Sequence, residues 1–157
     1  MLVLGIDPGL VSTGFAIIKQ HIDGNIYSVG TSTVTTCSSE SLPKRLLKIT
    51  CYLERILKDY NVSQIGIEEI FVNKKNPLSS IKLCHARGAI LSSCAKSGIP
   101  IYEFSARYIK QNIVGTGNAT KDQVRYMSKV LIKDSYGSNE HEFDAYATAY
   151  VCLTSNR

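Results

Sequence analysis

Four side chains that can bind a metal ion occur where a fold could bring them together. Asp7 and Glu68 each directly follow a short apolar run, as a residue at the end of a buried strand does. His141 and Asp144 are three residues apart, a spacing that places both on one face of a helix. Two close carboxylates repel each other unless a cation lies between them, and Mg²⁺ prefers oxygen ligands. The four residues therefore predict a metal site.

The chemistry of such a site would be hydrolysis of a phosphate ester. Two metal ions about 3.5 to 4 Å apart can activate water and stabilise the leaving oxygen of a phosphodiester. Taken singly, each residue has a simpler interpretation, because an Asp before Pro-Gly often caps a turn and a His at a helix start is often a surface residue. Their joint placement favours the metal site, with Asp7, Glu68, His141 and Asp144 as candidate catalytic residues.

Five strands and four helices are predicted to position these residues. Strand-forming composition and turn signals predict strands at residues 2–6, 12–20, 26–36, 65–68 and 99–104. Apolar spacings of three and four predict helices at 42–60, 77–98 and 140–153, and another that begins after Thr120. The turns between the first three strands are too short for a crossover helix, so these strands should be antiparallel neighbours. The strands before Asp7 and Glu68 should be parallel neighbours, which brings both carboxylates to one edge of the sheet.

Length and composition narrow the class of protein. The 157 residues fit a single domain, 1–157, and no apolar run approaches the ~18 residues of a membrane span. The N-terminus lacks the pattern of a signal peptide, so we expect a cytoplasmic protein. The five cysteines show no CxxC or zinc-type spacing and are interpreted as small apolar residues.

Positive charge is concentrated in the middle of the chain. Residues 71–133 contain eleven Lys and Arg against two acidic residues, a local net charge of +9, whereas the whole chain carries +5. Lys121, Arg125, Lys129 and Lys133 recur every four residues and should share one helix face. This asymmetry indicates either a polyanionic partner or a solvated basic surface, and charge alone does not decide between them.

Five motifs, in their order and spacing, closely resemble the RuvC family of Holliday-junction resolvases: GIDPGLVSTGFAII, IGIEEIFVNKKNP, LCHARGAI, YIKQNIVGTGNATKDQV and HEFDAYATAY. The resemblance implies an α/β, ribonuclease-H-like fold: a mixed five-stranded sheet, its first three strands antiparallel, with helices on both faces. It implies a homodimeric endonuclease that resolves four-way DNA junctions in homologous recombination and repair by cutting two symmetry-related strands. The implied cofactor is Mg²⁺, with Mn²⁺ able to substitute, two ions per subunit. A branch-migration motor is a further partner that the sequence leaves open.

The resemblance also assigns roles to single residues. Asp7, Glu68 and Asp144 match the family's carboxylates, and His141 falls where members carry Asp or His. Glu69 should point away from the metals. The implied DNA-binding residues are Phe71, Lys74, Lys75, Lys110, Lys121 and Arg125. A solvated surface remains the alternative for the Arg125, Lys129 and Lys133 stripe, and packing on the core for Phe71.

The helix predicted at residues 77–98 is expected to contribute to the dimer contact. Its Ala86, Gly88 and Ala89 are small, and glycine inside a helix costs about 1 kcal/mol relative to Ala unless close packing offsets it.

Two alternative functions stay open at this point. The first is a nucleotide-binding module of the actin and sugar-kinase type, whose phosphate loop also follows a strand with Asp and a glycine turn, although such proteins need two domains. The second is a junction-binding protein of the same fold that has lost its chemistry.

Overall fold

The computed structural model describes residues 1–70 and 77–155, which form a five-stranded sheet and five helices. Within these ranges, no helix combines the length and the apolar character needed to cross a membrane. In chain order the elements are β1 (Leu2–Asp7), β2 (Ser12–Gln20), β3 (Ile26–Thr35), α1 (Leu42–Asp59), β4 (Gln64–Glu68), α2 (Pro77–Lys96), β5 (Ile101–Phe104), α3 (Ala106–Val114), α4 (Lys121–Leu131) and α5 (Glu140–Ser155).

The sheet is mixed and has the strand order β3-β2-β1-β4-β5. Strand β1 pairs antiparallel with β2 and parallel with β4, β2 pairs antiparallel with β3, and β4 pairs parallel with β5. The predicted fold class is confirmed, including the three antiparallel strands at the start of the chain. Because β1 has a neighbour on each side, its end is flanked by other strands, and its last residue is Asp7.

Helices cover both faces of the sheet. Helices α1 and α2 pack on the face that presents Leu4, Ile6 and Ile65. Helix α5 packs on the opposite face, against Val3 and Ile18. Helices α3 and α4 then pack on α5 through a smaller apolar cluster. Successive side chains of β1 point to opposite faces of the sheet, and a packed layer covers each face. The strand is therefore buried on both sides.

Two glycines let α5 lie directly on the strands. A Cβ added to Gly5 of β1 would lie 2.0 Å from the backbone oxygen of Ala145, and one added to Gly14 of β2 would lie 2.1 Å from that of His141. Only a residue without a side chain fits such an approach. The closeness brings the first turn of α5, with its candidate ligands, to the strand ends.

The structure differs from the prediction in two elements. Helix α3 was not predicted: Ser105 caps it by accepting a hydrogen bond from the Tyr108 backbone N–H, and Gly115 ends it in the left-handed conformation, at φ 91°. Helix α4 ends at Leu131, so Lys133 does not belong to the predicted four-cation helix face. The backbone N–H of Lys133 instead donates to the Ile26 carbonyl, which draws the chain beside β3.

Candidate active site

The two strand-end carboxylates lie side by side. Strands β1 and β4 are parallel, with Ile6 opposite Ile67, so Asp7 and Glu68 end their strands in register. Burial, together with the charges of Asp7 and Asp144, raises the pKa of Glu68 to about 8. In the absence of a cation, Glu68 therefore holds its proton near neutral pH.

The start of α5 brings the other two candidate ligands to the same edge. The Asn139 side chain caps this helix by accepting a hydrogen bond of 3.2 Å from the Glu142 backbone N–H. The buried Glu142 carboxylate in turn accepts hydrogen bonds from the Ser138 N–H, at 2.7 Å, and from Thr33 of β3, at 3.1 Å. This network fixes the first turn of α5 against the sheet, and with it the position of His141.

His141 contacts Asp7 directly. Its Nδ1 lies 2.8 Å from Asp7 Oδ2, and this hydrogen bond raises the pKa of His141 against the opposing effect of burial. Asp144 lies one turn further along α5, where burial and the charge of Asp7 raise its pKa to about 6. The structure therefore brings together all four side chains predicted to form the site.

A cavity of about 330 Å³ joins the four residues to two lysines. Lys110 of α3 and Lys121 of α4 line it beside Asp7, Glu68, His141 and Asp144. Lys121 Nζ lies 2.5 Å from Glu140 Oε2, and this contact raises the pKa of Lys121. The site thus combines three carboxylates, an imidazole and two ammonium groups around one open space.

The donor set fits divalent cations, because three carboxylates lie close together and repel one another, and the pKa values of Glu68 and Asp144 stay raised although Lys110 and Lys121 line the same cavity. Among the residues that the structure describes, however, no group of three or more His, Cys, Asp or Glu is already placed as a metal-binding cluster. Asp7 Oδ2 is hydrogen-bonded to the His141 imidazole, a contact that a cation on that oxygen would have to replace.

The predicted DNA-binding residues divide into three groups. Lys110 and Lys121 line the cavity. Arg125 lies over the Phe143 ring, with Cζ 5.1 Å from the ring centroid, beside the outer edge of the site. Phe71, Lys74 and Lys75 lie outside the described residues.

The basic stripe is not a row of free charges. Lys129 Nζ lies 5.4 Å from the Phe143 centroid, and Lys133 Nζ lies 5.3 Å from the Tyr27 centroid. Both are thereby engaged in cation–π contacts. Glu69 lines a different cavity, beside Gly88, in agreement with the expectation that it points away from the metal site.

Sequence reasoning missed part of the cavity wall. Ala106 and Ile109 of α3 and Val124 of α4 line it, and Glu140 holds Lys121 at its edge. The spacing of Ile109 and Ile113, both buried, was the signal that could have revealed α3. Nothing local in the sequence indicates the Glu140 pair, which joins two helices.

The sheet order and the carboxylates at its parallel strand ends define the class of protein: an α/β nuclease of the ribonuclease-H-like fold. The family model "Crossover junction endodeoxyribonuclease RuvC" matches residues 3–152. The chain belongs to the RuvC family.

Individual relatives agree with this assignment. The chain is 39% identical to crossover junction endodeoxyribonuclease RuvC of Rickettsia akari over 97% of its own length and 96% of the relative's. It is 38% identical to the RuvC of Orientia tsutsugamushi strain Ikeda, over 100% and 98%. The solved structure of Thermus thermophilus RuvC superposes with a TM-score of 0.83 at 27% identity, over 95% of this chain and 91% of that one.

The family resemblance, the enzyme class and the function predicted from the sequence are thereby confirmed. The chain is a crossover junction endodeoxyribonuclease that resolves Holliday junctions, and its family is one of metal-dependent nucleases. This outcome removes the nucleotide-binding module and the non-catalytic binding protein as alternatives.

Proposed function

We propose that this protein cuts two symmetry-related strands of a four-way DNA junction with Asp7, Glu68, His141 and Asp144 as its metal-binding catalytic residues. The proposed cofactor is Mg²⁺, which Mn²⁺ can replace, with two ions per subunit. The proposed place of action is the cytoplasm. A Thermus thermophilus RuvC of the same fold, with a TM-score of 0.82, has a structure in complex with a Holliday junction substrate.

The observation that carries the proposal is the mutual repulsion of the carboxylates. Glu68 and Asp144 both have raised pKa values because each is buried beside Asp7. Such an arrangement destabilises the ionised protein and is relieved by positive charge placed between the carboxylates. Divalent cations bound there would activate water and neutralise the leaving oxygen of a phosphodiester.

Side chains around the proposed metal site would bind the DNA and set the charge on Asp7. The ammonium groups of Lys110 and Lys121 line the cavity and would attract a phosphate to it, Lys121 being held in place by Glu140. His141 shares the Asp7 carboxylate, so its protonation would control how much negative charge Asp7 offers. Phe71, Lys74 and Lys75 are proposed to contact junction bases and backbone phosphates.

A homodimer is proposed because a junction has approximate two-fold symmetry and one subunit has one site. The outer face of α2 exposes Leu78 and Ile81, with 70% and 53% of each residue accessible. A Cβ on Gly88 would meet nothing within 4 Å in its own subunit, which leaves room for a partner's backbone. Ala86 is fully buried in its own subunit, so the prediction that it contributes to the dimer contact is wrong. Ala89 is partly buried and stays a candidate for that contact. A branch-migration motor remains a candidate further partner.

The test uses a labelled four-way junction, a linear duplex of the same sequence and an RNA–DNA hybrid, each with Mg²⁺, Mn²⁺ or a chelator. We expect paired symmetric nicks on the junction alone, and only with metal. Equal cutting of the linear duplex would contradict the proposed substrate, and cutting in chelator would contradict the metal.

A further inference from the structure

A second cavity adjoins the active site and contains a buried positive charge. Its volume is about 500 Å³, and His141 lines both cavities, so the two spaces are adjacent. Its walls are the turn at residues 8–12 that follows Asp7, Arg45 of α1, and Lys82 of α2. No Asp or Glu is among the described residues that line it.

Arg45 is 7% exposed and has no carboxylate within 4 Å among the described residues. Its Nε–H donates to Thr36 Oγ1 at 2.7 Å, and its Nη2 donates to the Leu10 carbonyl at 3.3 Å. A guanidinium has five N–H donors, so these two bonds leave three. Leaving a buried charge without an opposite charge is costly, which is why buried Arg is normally paired.

The rest of the wall is also suited to an anion. Arg45 lies in the first turn of α1, whose N-cap residue Ser41 makes no side-chain capping bond and whose first turn contains no acidic residue. The positive end of that helix dipole is therefore not neutralised by the chain itself. Lys82 supplies a second cation from α2, in an exposed position.

The turn between the two cavities is held in a fixed shape. Thr13 Oγ1 donates to the Gly9 carbonyl at 2.5 Å, and Thr36 Oγ1 donates to the Leu10 carbonyl at 2.5 Å. A Cβ on Gly9 would lie 2.0 Å from the Ser12 carbonyl oxygen, so the turn needs glycine there. An anion bound at Arg45 would consequently have a defined position relative to Asp7.

We propose that the second cavity binds a phosphodiester of the DNA that neighbours the one being cut, with Arg45 and Lys82 as its cationic partners. This inference rests on the proposed function, since it is the DNA substrate that presents further phosphates next to the scissile one. The charge of the cavity matches that ligand, because guanidinium and ammonium groups are the usual partners of backbone phosphates. Binding there would set which phosphodiester enters the site of Asp7.

The test removes single phosphate charges from the substrate. Junctions are prepared with one neutral methylphosphonate at each linkage flanking the cut site in turn. Single-turnover cleavage and the junction Kd are measured for wild type, Arg45→Lys, Arg45→Gln and Lys82→Gln. Lys48→Gln, which removes an exposed charge from α1 outside the cavity, is the matched control.

We expect one flanking methylphosphonate to reduce wild-type cleavage about tenfold, the effect of losing a hydrogen-bonded ionic contact. The same linkage should have a much smaller effect in Lys82→Gln and Arg45→Gln, since the contact is already lost, whereas Lys48→Gln should respond like wild type. Arg45→Lys should fall between, because it keeps the charge but not the planar fork.

Two failures are distinguishable. Suppose that wild type cuts the unmodified junction, and that each methylphosphonate reduces cleavage by the same factor in every variant as in wild type. The two effects are then independent, so this inference is wrong and the proposed function stands. If wild type binds the junction without cutting it, the proposed function is wrong, and the same comparison of variants and methylphosphonates, made on Kd, decides this inference. If it neither binds nor cuts the junction, both proposals fall. Should the Arg45 variants not fold, judged by thermal unfolding, the exposed Lys82→Gln decides alone.

Discussion

The imidazole of His141 and the carboxylate of Asp7 form a 2.8 Å hydrogen bond at the centre of the candidate metal site. The bond raises the pKa of His141, so the protonated ring acts as a cationic partner of Asp7. A metal ion bound by Asp7 would therefore compete with a proton on His141. That competition makes the site's metal affinity dependent on pH.

Metal binding is expected to strengthen as pH rises from about 6 to 8 and to release protons. Glu68, with a pKa of about 8, holds a proton in this range and must lose it to act as a ligand, and the raised pKa of His141 adds a second proton that competes with the metal. Isothermal titration calorimetry with Mn²⁺ in two buffers of different ionisation enthalpy measures the release. His141→Gln should release fewer protons, and an affinity that does not change with pH would contradict the competition.

The stability of the chelator-treated protein should fall as pH rises. Burial raises the pKa of Glu68 from 4.5 to about 8 and that of Asp144 from 3.8 to about 6. Between the unfolded and folded pKa values the folded state binds more protons, so the free energy of unfolding decreases with pH across roughly pH 4.5 to 8. The raised pKa of His141 acts in the same direction.

Glu68→Gln should remove much of this pH dependence. We expect a gain on the order of 2 kcal/mol at pH 8, or a Tm increase of about 4–8 °C, since the variant has no carboxylate to ionise. Glu69→Gln is the matched control, because Glu69 lines a different cavity. Thermal unfolding followed by circular dichroism at pH 5 to 8 measures both. Equal curves for the two variants would contradict the assigned role of Glu68.

Asp7→Asn should abolish cutting while preserving junction binding. The amide keeps the size of the side chain but loses the charge that holds cations, so cleavage should fall by roughly three orders of magnitude or more. The phosphate contacts are made by other groups, so the junction Kd should change little. Gel-shift and single-turnover cleavage assays measure the two properties separately. Near wild-type cutting by this variant would mean that Asp7 is not a metal ligand.

Junction binding should weaken steeply with salt. The contact of Lys110 with one phosphate should contribute about 0.9 to the slope of log K against log salt. Neutralising a lysine that contacts a phosphate reduces the slope of log K against log salt by about 0.9. Lys110→Gln should show this decrease because Lys110 lines the active-site cavity. Lys58→Gln, an exposed change in the last turn of α1, should leave the slope unaltered. The same slope for both variants would argue against a phosphate contact at Lys110.

The dimer prediction is tested with two identical substitutions at exposed isoleucines. Ile81 lies on the outer face of α2, and Ile22 lies in the β2–β3 turn. Ile81→Glu should shift the protein to monomer in sedimentation at micromolar concentration and should convert paired cuts into single nicks. Ile22→Glu should do neither. A dimer that survives Ile81→Glu would exclude α2 as the interface.

The features with local signals could be predicted from the sequence. An apolar run that ends in a carboxylate identified β1 and β4, and Thr120 with Gln123 does form the expected capping box of α4. Both depend on neighbours in the chain. The placement of Asp7 beside Glu68 followed because parallel strand ends meet at one edge of a sheet.

The features that depend on distant partners could not be predicted. From the sequence, Arg45 is one polar residue among others on an amphipathic helix. Its burial depends on hydrogen bonds to Thr36 and Leu10, which the sequence pattern does not predict. The end of α4 is set by backbone pairing of Lys133 with Ile26 of β3, which competes with another helical turn. Helix α3 is a different case: its signals are local, namely the Ser105 and Gly115 caps and the Ile109–Ile113 spacing, but they are few because the helix has only 9 residues.

The flush contact of α5 with Gly5 and Gly14 has a consequence for biosynthesis. Asp7 and Glu68 leave the ribosome well before His141 and Asp144, which arrive on the last helix described. Until α5 packs on the two glycines, a chain in synthesis contains only Asp7 and Glu68 of the four proposed ligands. On the proposed assignment of the ligands, a chain that ends before α5 should therefore be unable to cut DNA.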